Sequence, residues 1–412
     1  MEHDIIIIGA GPAGLSFARS FADTKLNILL VEKSSLANIR EPEPDGREIA
    51  LTHLSEKIMR NLGAWAYIPV AEITPIKKAS VLNGTSSYSL NFDTGRKSDE
   101  ALGYMVSNHI IRKSLFDVVS LQGNVELLTG VSVESVSTGK QGAIVTFSNG
   151  EQRKSQLIVS ADSRFSETRR KMGIPAKMRD FSRVAIVCRM QHEKPHHDVA
   201  TECFHNGRTL AVLPLAGNTS SIVITVSTEQ ADNIVNMDEE AFNRDIQQRF
   251  ANRLGTMKLL GRHHPYPLVA VHADKFVVNR FALIGDAAVG MHPVTAHGFN
   301  LGLRGQNTLS TEIKSAISKN RDFASLEVLK RYESKHMKIS RPMYHGTNGI
   351  VTLFTNDTPP ARAIRSIALR LANNFPPIRQ LITHVLTEKG NAENSQRTSL
   401  KHSNPPHKLG LK

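Results

Sequence analysis

Three glycines near the start of the chain constrain its fold more than any other feature. Gly9, Gly11 and Gly14 follow an apolar run at residues 4–8 and precede residues 12–22, which have the apolar spacing of a helix. In a strand, turn and helix each glycine then has a role. The first allows a tight turn, the second a close backbone approach to a pyrophosphate, and the third close packing of helix and strand. The pattern predicts a dinucleotide-binding βαβ unit.

The residues around the glycines extend this predicted site. Pro12 and Ala13 open the helix, whose N-terminus attracts phosphate charge. A second apolar run at residues 27–31 leads to Glu32 and Lys33. An acidic residue about 20 positions after the glycines can accept hydrogen bonds from a ribose. We therefore expect these residues to bind an adenine dinucleotide, either a flavin or a nicotinamide.

The composition argues against a disordered, a fibrous or a membrane-spanning protein. The 412 residues are 40% hydrophobic and 22% charged, which is ordinary for a globular chain of two or three domains. Apolar runs such as residues 5–8 are far shorter than the roughly 18 residues of a membrane-spanning helix. Because the glycine pattern begins so close to Met1, we expect no signal peptide and a cytoplasmic location.

Charge, cysteines and histidines narrow the possible partners. The net charge of +13 predicts attraction to polyanions, but the chain has no nucleic-acid reader motif, so we predict no nucleic-acid partner. Cys188 and Cys203 are too few for a disulfide framework, and we expect both to be buried. His292 and His297 have no carboxylate or cysteine at a recognisable ligand spacing, so no metal is predicted.

The second half of the chain has a different pattern. Short strand-like runs within residues 178–270 predict a mostly antiparallel sheet inserted into an α/β domain, with His263 and His264 in a loop. Residues 357–373 have the spacing of a basic amphipathic helix. Such a helix either packs on its own domain or binds a membrane surface or a partner.

The segment at residues 281–300 distinguishes a flavin from a nicotinamide. An apolar strand leads into Gly285 and Asp286, and a helix is predicted after a turn at Gly298. This segment resembles the second FAD signature of the flavin-dependent aromatic hydroxylases. The resemblance implies that Asp286 binds the ribityl chain of FAD and that Pro293 lies beside the isoalloxazine ring. The residues that would face the pyrimidine side of the ring are Gly298, Phe299 and Asn300.

Three further segments resemble the same family, and the resemblance covers about residues 4–390. Arg47, in an Asp-Gly-Arg run, is implied to lie near the cofactor phosphates and the edge of the ring. Arg112 is implied to contact the pyrophosphate or the adenosine end. Asp162 belongs to a motif that the family uses for both FAD and NAD(P)H.

Within this family the chain resembles the ubiquinone-biosynthesis hydroxylases, and the run Asp-Gly-Arg-Glu-Ile-Ala-Leu from residue 45 resembles a demethoxyubiquinol 5-hydroxylase branch. The resemblance implies an FAD-dependent monooxygenase in which NAD(P)H reduces the flavin and O₂ forms a flavin hydroperoxide. This species would hydroxylate the ring of a polyprenylated phenol or quinol. Such a substrate favours a peripheral position on the inner face of the membrane or in a ubiquinone-synthesis complex. The alternatives are a soluble hydroxylase of small aromatics and a low-turnover flavin-binding subunit.

The implied fold is α/β with an α+β insert. It comprises a Rossmann-like FAD-binding domain, an inserted, mostly antiparallel β-sheet substrate domain and a C-terminal helical region. The expected boundaries are 1–177 for the first part of the FAD-binding domain, with some substrate-domain strands near 80–105, then 178–270 for the substrate domain, 271–340 for the second part of the FAD-binding domain, 341–390 for the helical region and 391–412 for a disordered tail.

The chain departs from the family at four positions. Ser163 follows Asp162 where the family has glycine, Ala296 and His297 precede Gly298 where it has Gly-Gln, and Gly305 replaces an aspartate. His297 is either an imidazole that tunes the flavin or a tolerated substitution. Pro293 and His297 are the candidate catalytic residues, and these departures are the reason to keep the low-turnover alternative.

Overall fold

The chain forms three β-sheets and nine α-helices within the part that the computed structural model describes, which is residues 2–83, 89–93, 100–205, 208–293, 296–355, 358 and 388. The strands are β1 His3–Ile8, β2 Ile28–Glu32, β3 Glu48–Leu51, β4 Thr74–Ile76, β5 Lys78–Asn83, β6 Ser89–Asp93, β7 Gly103–Ser107, β8 Val125–Thr129, β9 Val133–Thr138, β10 Ala143–Phe147, β11 Gln152–Ser160, β12 Ala176–His192, β13 Val199–His205, β14 Arg208–Pro214, β15 Thr219–Ser227, β16 Met257–Ala273, β17 Val277–Val278, β18 Phe281–Leu283 and β19 Val289–Gly290. The helices are α1 Pro12–Arg19, α2 Leu36–Arg40, α3 His53–Asn61, α4 Asn108–Ser120, α5 Glu167–Lys171, α6 Thr228–Val235, α7 Glu239–Arg249, α8 His297–Ile317 and α9 Leu326–Thr355.

The first sheet has the strand order β17-β18-β11-β1-β2-β8, with β10 paired to β11 and β9 to β10. Five neighbouring strands, β8, β2, β1, β11 and β18, run parallel. The four consecutive isoleucines of β1 are buried, as expected for a strand covered on both faces of a parallel sheet. The chain leaves β1 toward β2 and β8 and later returns on its other side as β11, so the strand order reverses at β1.

The second sheet has the order β19-β16-β12-β15-β14-β13-β5-β6 and is antiparallel except between β5 and β13. One face packs on α6 and α7 around a separate apolar core. Cys188 and Cys203 lie in this core as free thiols, as predicted, and burial raises the pKa of each to about 12.

The third sheet, β3-β7-β4, joins the other two. A small apolar cluster of Ile76, Met105 and Leu215 packs strands of the third sheet against the second. On its other side β3 contacts α8. The third sheet therefore links the second sheet to α8.

Three sequence predictions about secondary structure were wrong. His263 and His264 lie in β16, not in a loop, because β16 pairs along most of β12. A helix predicted to reach residue 254 ends at Arg249. A helix predicted to end at residue 340 continues to Thr355, past Pro342.

The domain boundaries remain predictions, although the second sheet also takes in residues 78–83, 89–93 and 289–290. The predicted helix at 357–373 and the tail at 391–412 fall outside the described residues, apart from Thr358. None of the helices in the described ranges is both long and apolar enough to cross a bilayer.

Candidate active site

The candidate site lies at the carboxyl edge of the first sheet. Because β1, β2, β11 and β18 are parallel, the residues at their C-terminal ends share one edge. Gly9 follows β1, Glu32 ends β2, Asp162 lies two residues after β11, and Asp286 lies three residues after β18. In open α/β sheets, ligands bind at this edge, next to the point where the strand order reverses. That point is β1.

The three glycines of the first turn have different surroundings. Gly9 has φ +106°, and a Cβ there would lie 2.6 Å from the carbonyl oxygen of Ala161. A Cβ at Gly14 would lie 1.9 Å from the carbonyl oxygen of Gly9. A Cβ at Gly11 would meet nothing within 4 Å, and no side chain caps α1 there. The protein backbone itself requires Gly9 and Gly14, whereas Gly11 borders open space at a helix N-terminus, which fits the pyrophosphate of a dinucleotide.

Glu32 is held beside this turn by two backbone groups. Its Oε2 accepts a hydrogen bond from the N–H of Ala10 (2.8 Å) and its Oε1 accepts one from the N–H of Ser34 (3.0 Å). A carboxylate has about four acceptor sites, so both oxygens can still accept hydrogen bonds from a ribose. Pro12 and Ala13 are half-buried at the start of α1, and Lys33 is exposed.

Asp162 organises the turn after β11. Its carboxylate accepts hydrogen bonds from the hydroxyls of Ser160 (2.8 Å) and Ser166 (2.9 Å) and from the N–H of Thr168 (3.3 Å). Ser163, at the position where the family has glycine, is exposed. These contacts give Asp162 a structural role at the start of α5, and its contact with a cofactor remains a prediction.

Asp286 forms an ion pair that the sequence did not reveal. Its Oδ2 accepts a hydrogen bond from Nη2 of Arg164 (3.1 Å), while Nη1 of Arg164 donates to the carbonyl of Val269 in β16 (3.1 Å). The carboxylate still keeps 40% of its side-chain surface exposed. The preceding Gly285 has φ +59°, and a Cβ there would lie 2.7 Å from that of Ala13. Asp286 therefore lies close to the first glycine turn and can accept hydrogen bonds from a ligand there.

The turn before α8 carries the remaining predicted cofactor residues. Pro293 is exposed, and its carbonyl accepts a hydrogen bond from the N–H of Ala296 (2.8 Å). Ala296 has φ +53°, a left-handed conformation that is unusual for a residue with a Cβ. His297 is buried, whereas Gly298 and Phe299 are half-buried. This N-terminus is thus partly open, and the effect of His297 on a flavin remains a prediction.

Asn300 joins this helix to β3. Its Oδ1 accepts a hydrogen bond from the N–H of Thr52 (3.1 Å), and its Nδ2 donates to the carbonyls of Ala50 (2.9 Å) and Ala296 (2.8 Å). Asn300 is buried, so these bonds satisfy an amide that has little access to water. The predicted cofactor residue is therefore also a structural link between α8 and the third sheet.

Arg47 lies on the other side of the site. Its Nε donates to the Asp45 carboxylate (3.0 Å), and its guanidinium lies 5.6 Å from the centre of the Tyr266 ring. Burial disfavours the charge, but Asp45 outweighs it, with smaller contributions from Tyr266 and Asp286, so that the pKa of Arg47 is raised. Arg47 is thus a permanent cation whose field reaches the Asp286 side of the site.

Arg112 is half-buried in α4, which packs along α1. The first residue of α4, Asn108, donates a hydrogen bond to Asp45 (2.7 Å), so the start of this helix adjoins the Arg47 turn. The structure thus brings the glycine turn, Glu32, Asp162, Asp286 and the start of α8 to one edge of the sheet. For Arg112 it gives a neighbouring helix but no direct contact with that group.

Comparison with known proteins agrees with this architecture. A family model described as "FAD binding domain" matches residues 2–346. The ubiquinone hydroxylase UbiM of Neisseria meningitidis is 46% identical over 94% of this chain and 85% of its own length. The 3-demethoxyubiquinol 3-hydroxylase of Escherichia coli is 26% identical over 93% of this chain and 98% of its own.

Solved structures show the same fold. The p-nitrophenol 4-monooxygenase PnpA of Pseudomonas putida superposes with a TM-score of 0.76 at 17% identity, covering 94% of this chain and 99% of that one. PqsL of Pseudomonas aeruginosa superposes with a TM-score of 0.74 at 16% identity, covering 86% of this chain and 97% of that one. The predicted fold class is confirmed. The chain belongs to the FAD-binding domain family, among the flavin-dependent hydroxylases related to the ubiquinone hydroxylases.

Proposed function

We propose that this protein hydroxylates the aromatic ring of a polyprenylated phenol or quinol in ubiquinone biosynthesis, with FAD as cofactor and NAD(P)H and O₂ as co-substrates. The observation that carries the proposal is the 46% identity to a ubiquinone hydroxylase over 94% of the chain. The geometry of the carboxyl edge supports it, because groups suited to the pyrophosphate, the ribose and the ribityl chain of FAD lie along one edge.

The chain's own residues have distinct tasks in this proposal. The open space at Gly11 and the N-terminus of α1 receive the pyrophosphate, and Glu32 accepts hydrogen bonds from the ribose. Asp286, held by Arg164, accepts hydrogen bonds from the ribityl chain. The N-terminus of α8 at Gly298 presents backbone N–H groups and a partial positive charge, which stabilise negative charge on the ring of the flavin.

When bound, reduced FAD would activate O₂ for transfer of one oxygen atom to the substrate ring, and the protein would control the surroundings of that reaction. Half-buried apolar residues on β3 and β14, such as Ala50 and Leu213, pack around the cluster that joins the second and third sheets. Such an apolar lining suits an aromatic ring with an isoprenoid tail and limits the access of water.

We also propose a peripheral position at a membrane surface. A polyprenyl substrate partitions into lipid, and the net charge of +13 favours an anionic surface. Flotation of the purified protein with vesicles of anionic or neutral phospholipid tests this. Binding to the anionic vesicles alone supports the proposal, and equal failure with both contradicts it.

Quinone profiling of a deletion strain tests the function. We expect loss of ubiquinone and accumulation of an intermediate that lacks one ring hydroxyl, whose structure gives the ring position. The wild-type gene should restore ubiquinone and Asp286→Ala should not. A normal quinone profile in the deletion strain would refute the proposal. Rapid hydroxylation of a small water-soluble phenol by purified protein would instead favour the soluble hydroxylase.

A further inference from the structure

Glu202 is an acidic residue in the interior of the second sheet. It lies in β13, between β14 and β5, and is only partly exposed. The hydroxyl of Thr209 on β14 donates a hydrogen bond to its carboxylate. Burial disfavours the charged form of such a side chain, so the carboxylate depends on its hydrogen-bond partners.

The side chain of Glu202 lies on the face of the sheet that is turned away from α6 and α7. Its neighbour Cys203 belongs to the core on the helix-covered face, and successive side chains of a strand point to opposite faces. Ala200 and Leu213, on the same face as Glu202, pack against the cluster that joins the second and third sheets. Glu202 therefore lies on the face of the second sheet that is turned toward the third sheet.

Other contacts of this face lead directly to the candidate site. Arg189 of β12 donates from Nε to the Glu48 carboxylate of β3 (2.8 Å). Two residues further along β3, Ala50 accepts a hydrogen bond through its carbonyl from Asn300 at the start of α8. The strand β3 thus contacts both the face that carries Glu202, through Arg189, and the N-terminus of α8, through Asn300.

The residues in line with Glu202 across the sheet are mostly apolar. Register places Glu202 opposite Ala211, Ala211 opposite Val223, and Val223 opposite Val187. Val187 is followed across the sheet by His264. A Cβ on Gly46 would lie 2.6 Å from His264, so this row ends at the Arg47 turn. Glu202 is the only acidic side chain of this row, and the three residues next to it are apolar, an arrangement that suits a phenolic ring with one hydroxyl.

We propose that Glu202 binds the ring hydroxyl of the phenolic substrate and accepts its proton. This inference rests on the proposed function. The O–H bond of the substrate breaks, the proton passes to a carboxylate oxygen of Glu202, and the electron pair stays on the phenolic oxygen. The added electron density activates the ring carbon that receives oxygen. After transfer, Glu202 returns the proton to the phenolic oxygen, so that the carboxylate is restored.

The environment of Glu202 suits proton exchange with a phenol. Burial raises its pKa to about 8, closer to the value of about 10 for a phenolic hydroxyl than an ordinary glutamate would be. Proton transfer is most effective when the two pKa values and the working pH lie close together. Thr209 holds the carboxylate in place through its hydrogen bond.

Glu202→Gln tests the proposal, with Glu229→Gln as a matched control because Glu229 is exposed at the start of α6. Both variants and the wild type, loaded with FAD, are given NAD(P)H and a phenol with a short prenyl tail. We expect Glu202→Gln to lower the hydroxylation rate on the order of 10²-fold and to remove a pH dependence near 8. The control should resemble the wild type.

Calorimetric binding of the phenol and of its methyl ether gives a second readout. Above pH 8 the wild type should prefer the phenol, and Glu202→Gln, whose amide can accept a hydrogen bond but not the proton, should show a smaller preference that does not change with pH. Thr209→Val keeps the carboxyl group and should move the pH dependence upward, which tests the proposal even if Glu202→Gln fails to fold.

The outcomes separate the two proposals. If the wild type hydroxylates the phenol and Glu202→Gln matches it in rate and pH profile, the role of Glu202 is refuted and the proposed function stands. If the wild type prefers the phenol through Glu202 but hydroxylates nothing, the proposed function fails and the binding role stands.

Discussion

At the scale of single residues, two glycines of the same turn should respond differently to the same substitution. Gly11→Ala places its Cβ in open space and should leave the stability of the FAD-free protein unchanged, but should weaken FAD binding by filling the approach to the pyrophosphate. Gly14→Ala places its Cβ 1.9 Å from the Gly9 carbonyl oxygen and should cost about 1–3 kcal/mol of stability. Urea unfolding of the FAD-free protein and titration with FAD measure the two effects. Equal losses of stability in both variants would contradict the different surroundings of these glycines.

The roles of single residues could be predicted from the sequence only in part. The roles of Gly9 and Gly14 were predictable because each depends on atoms of its own turn or of an adjacent strand. The pairing of Asp286 with Arg164 was not, because the two residues lie 122 positions apart and meet only through the sheet order. Glu202 was also missed, since nothing in its local sequence shows that β13 lies in the interior of a sheet.

At the scale of elements, the N-terminus of α8 depends on the side chain of Asn300. Asn300→Leu keeps the approximate volume but leaves the N–H of Thr52 and the carbonyl of Ala50 without their partner. We expect a loss of about 1–3 kcal/mol for each unsatisfied group, together with weaker FAD binding, because α8 and β3 separate. Asn307→Leu, at an exposed position of the same helix, is the control for urea unfolding. If both variants unfolded at the same urea concentration, the link between α8 and β3 would be unimportant.

The boundaries of several elements depend on contacts between distant segments, which a local sequence pattern does not show. The 17-residue β16 contains Pro265 and Pro267, residues that argue against a strand, yet it pairs with β12 through two irregularities in register. The helix α9 passes Pro342, where a helix is expected to end. By contrast, β10 was predicted at residues 143–147, where the structure has it, because its alternating pattern records which face is buried.

At the scale of the whole molecule, three contacts tie the second sheet to the FAD-binding part. Arg164 bridges Asp286 and the carbonyl of Val269, Arg189 bonds to Glu48, and the hydroxyl of Tyr266 donates to the carbonyl of Asp45 (2.5 Å). Each joins the second sheet, or a residue bonded to it, to a segment assigned to the cofactor. These contacts therefore couple the position of the second sheet to the segments assigned to the cofactor.

Buried ionisable groups make the stability of the molecule depend on pH in two opposite ways. Burial, assisted by neighbouring arginines, lowers the pKa of His336 to about 3 and that of His292 to about 4. Since an unfolded histidine titrates near pH 6.5, the unfolded chain binds protons that the native state does not, and stability falls as the pH falls below about 6.5. Glu202 acts in the other direction. Its raised pKa, about 8, means that stability falls as the pH rises from about 4.5 toward 8.

Replacing His336 should isolate the first of these contributions. His336 stacks on Tyr332, with 5.7 Å between ring centres, and also contacts Phe276, so phenylalanine fits the same apolar site. Between pH 7.5 and 5.5 the wild type should lose about 1.4 kcal/mol more unfolding free energy than His336→Phe. Urea unfolding at saturating FAD measures this difference, and His345→Gln, at an exposed position of the same helix, should follow the wild type. Because Glu202 is present in all three proteins, its opposite contribution cancels in the comparison. An identical pH dependence in His336→Phe and the wild type would mean that His336 takes up its proton in the folded protein.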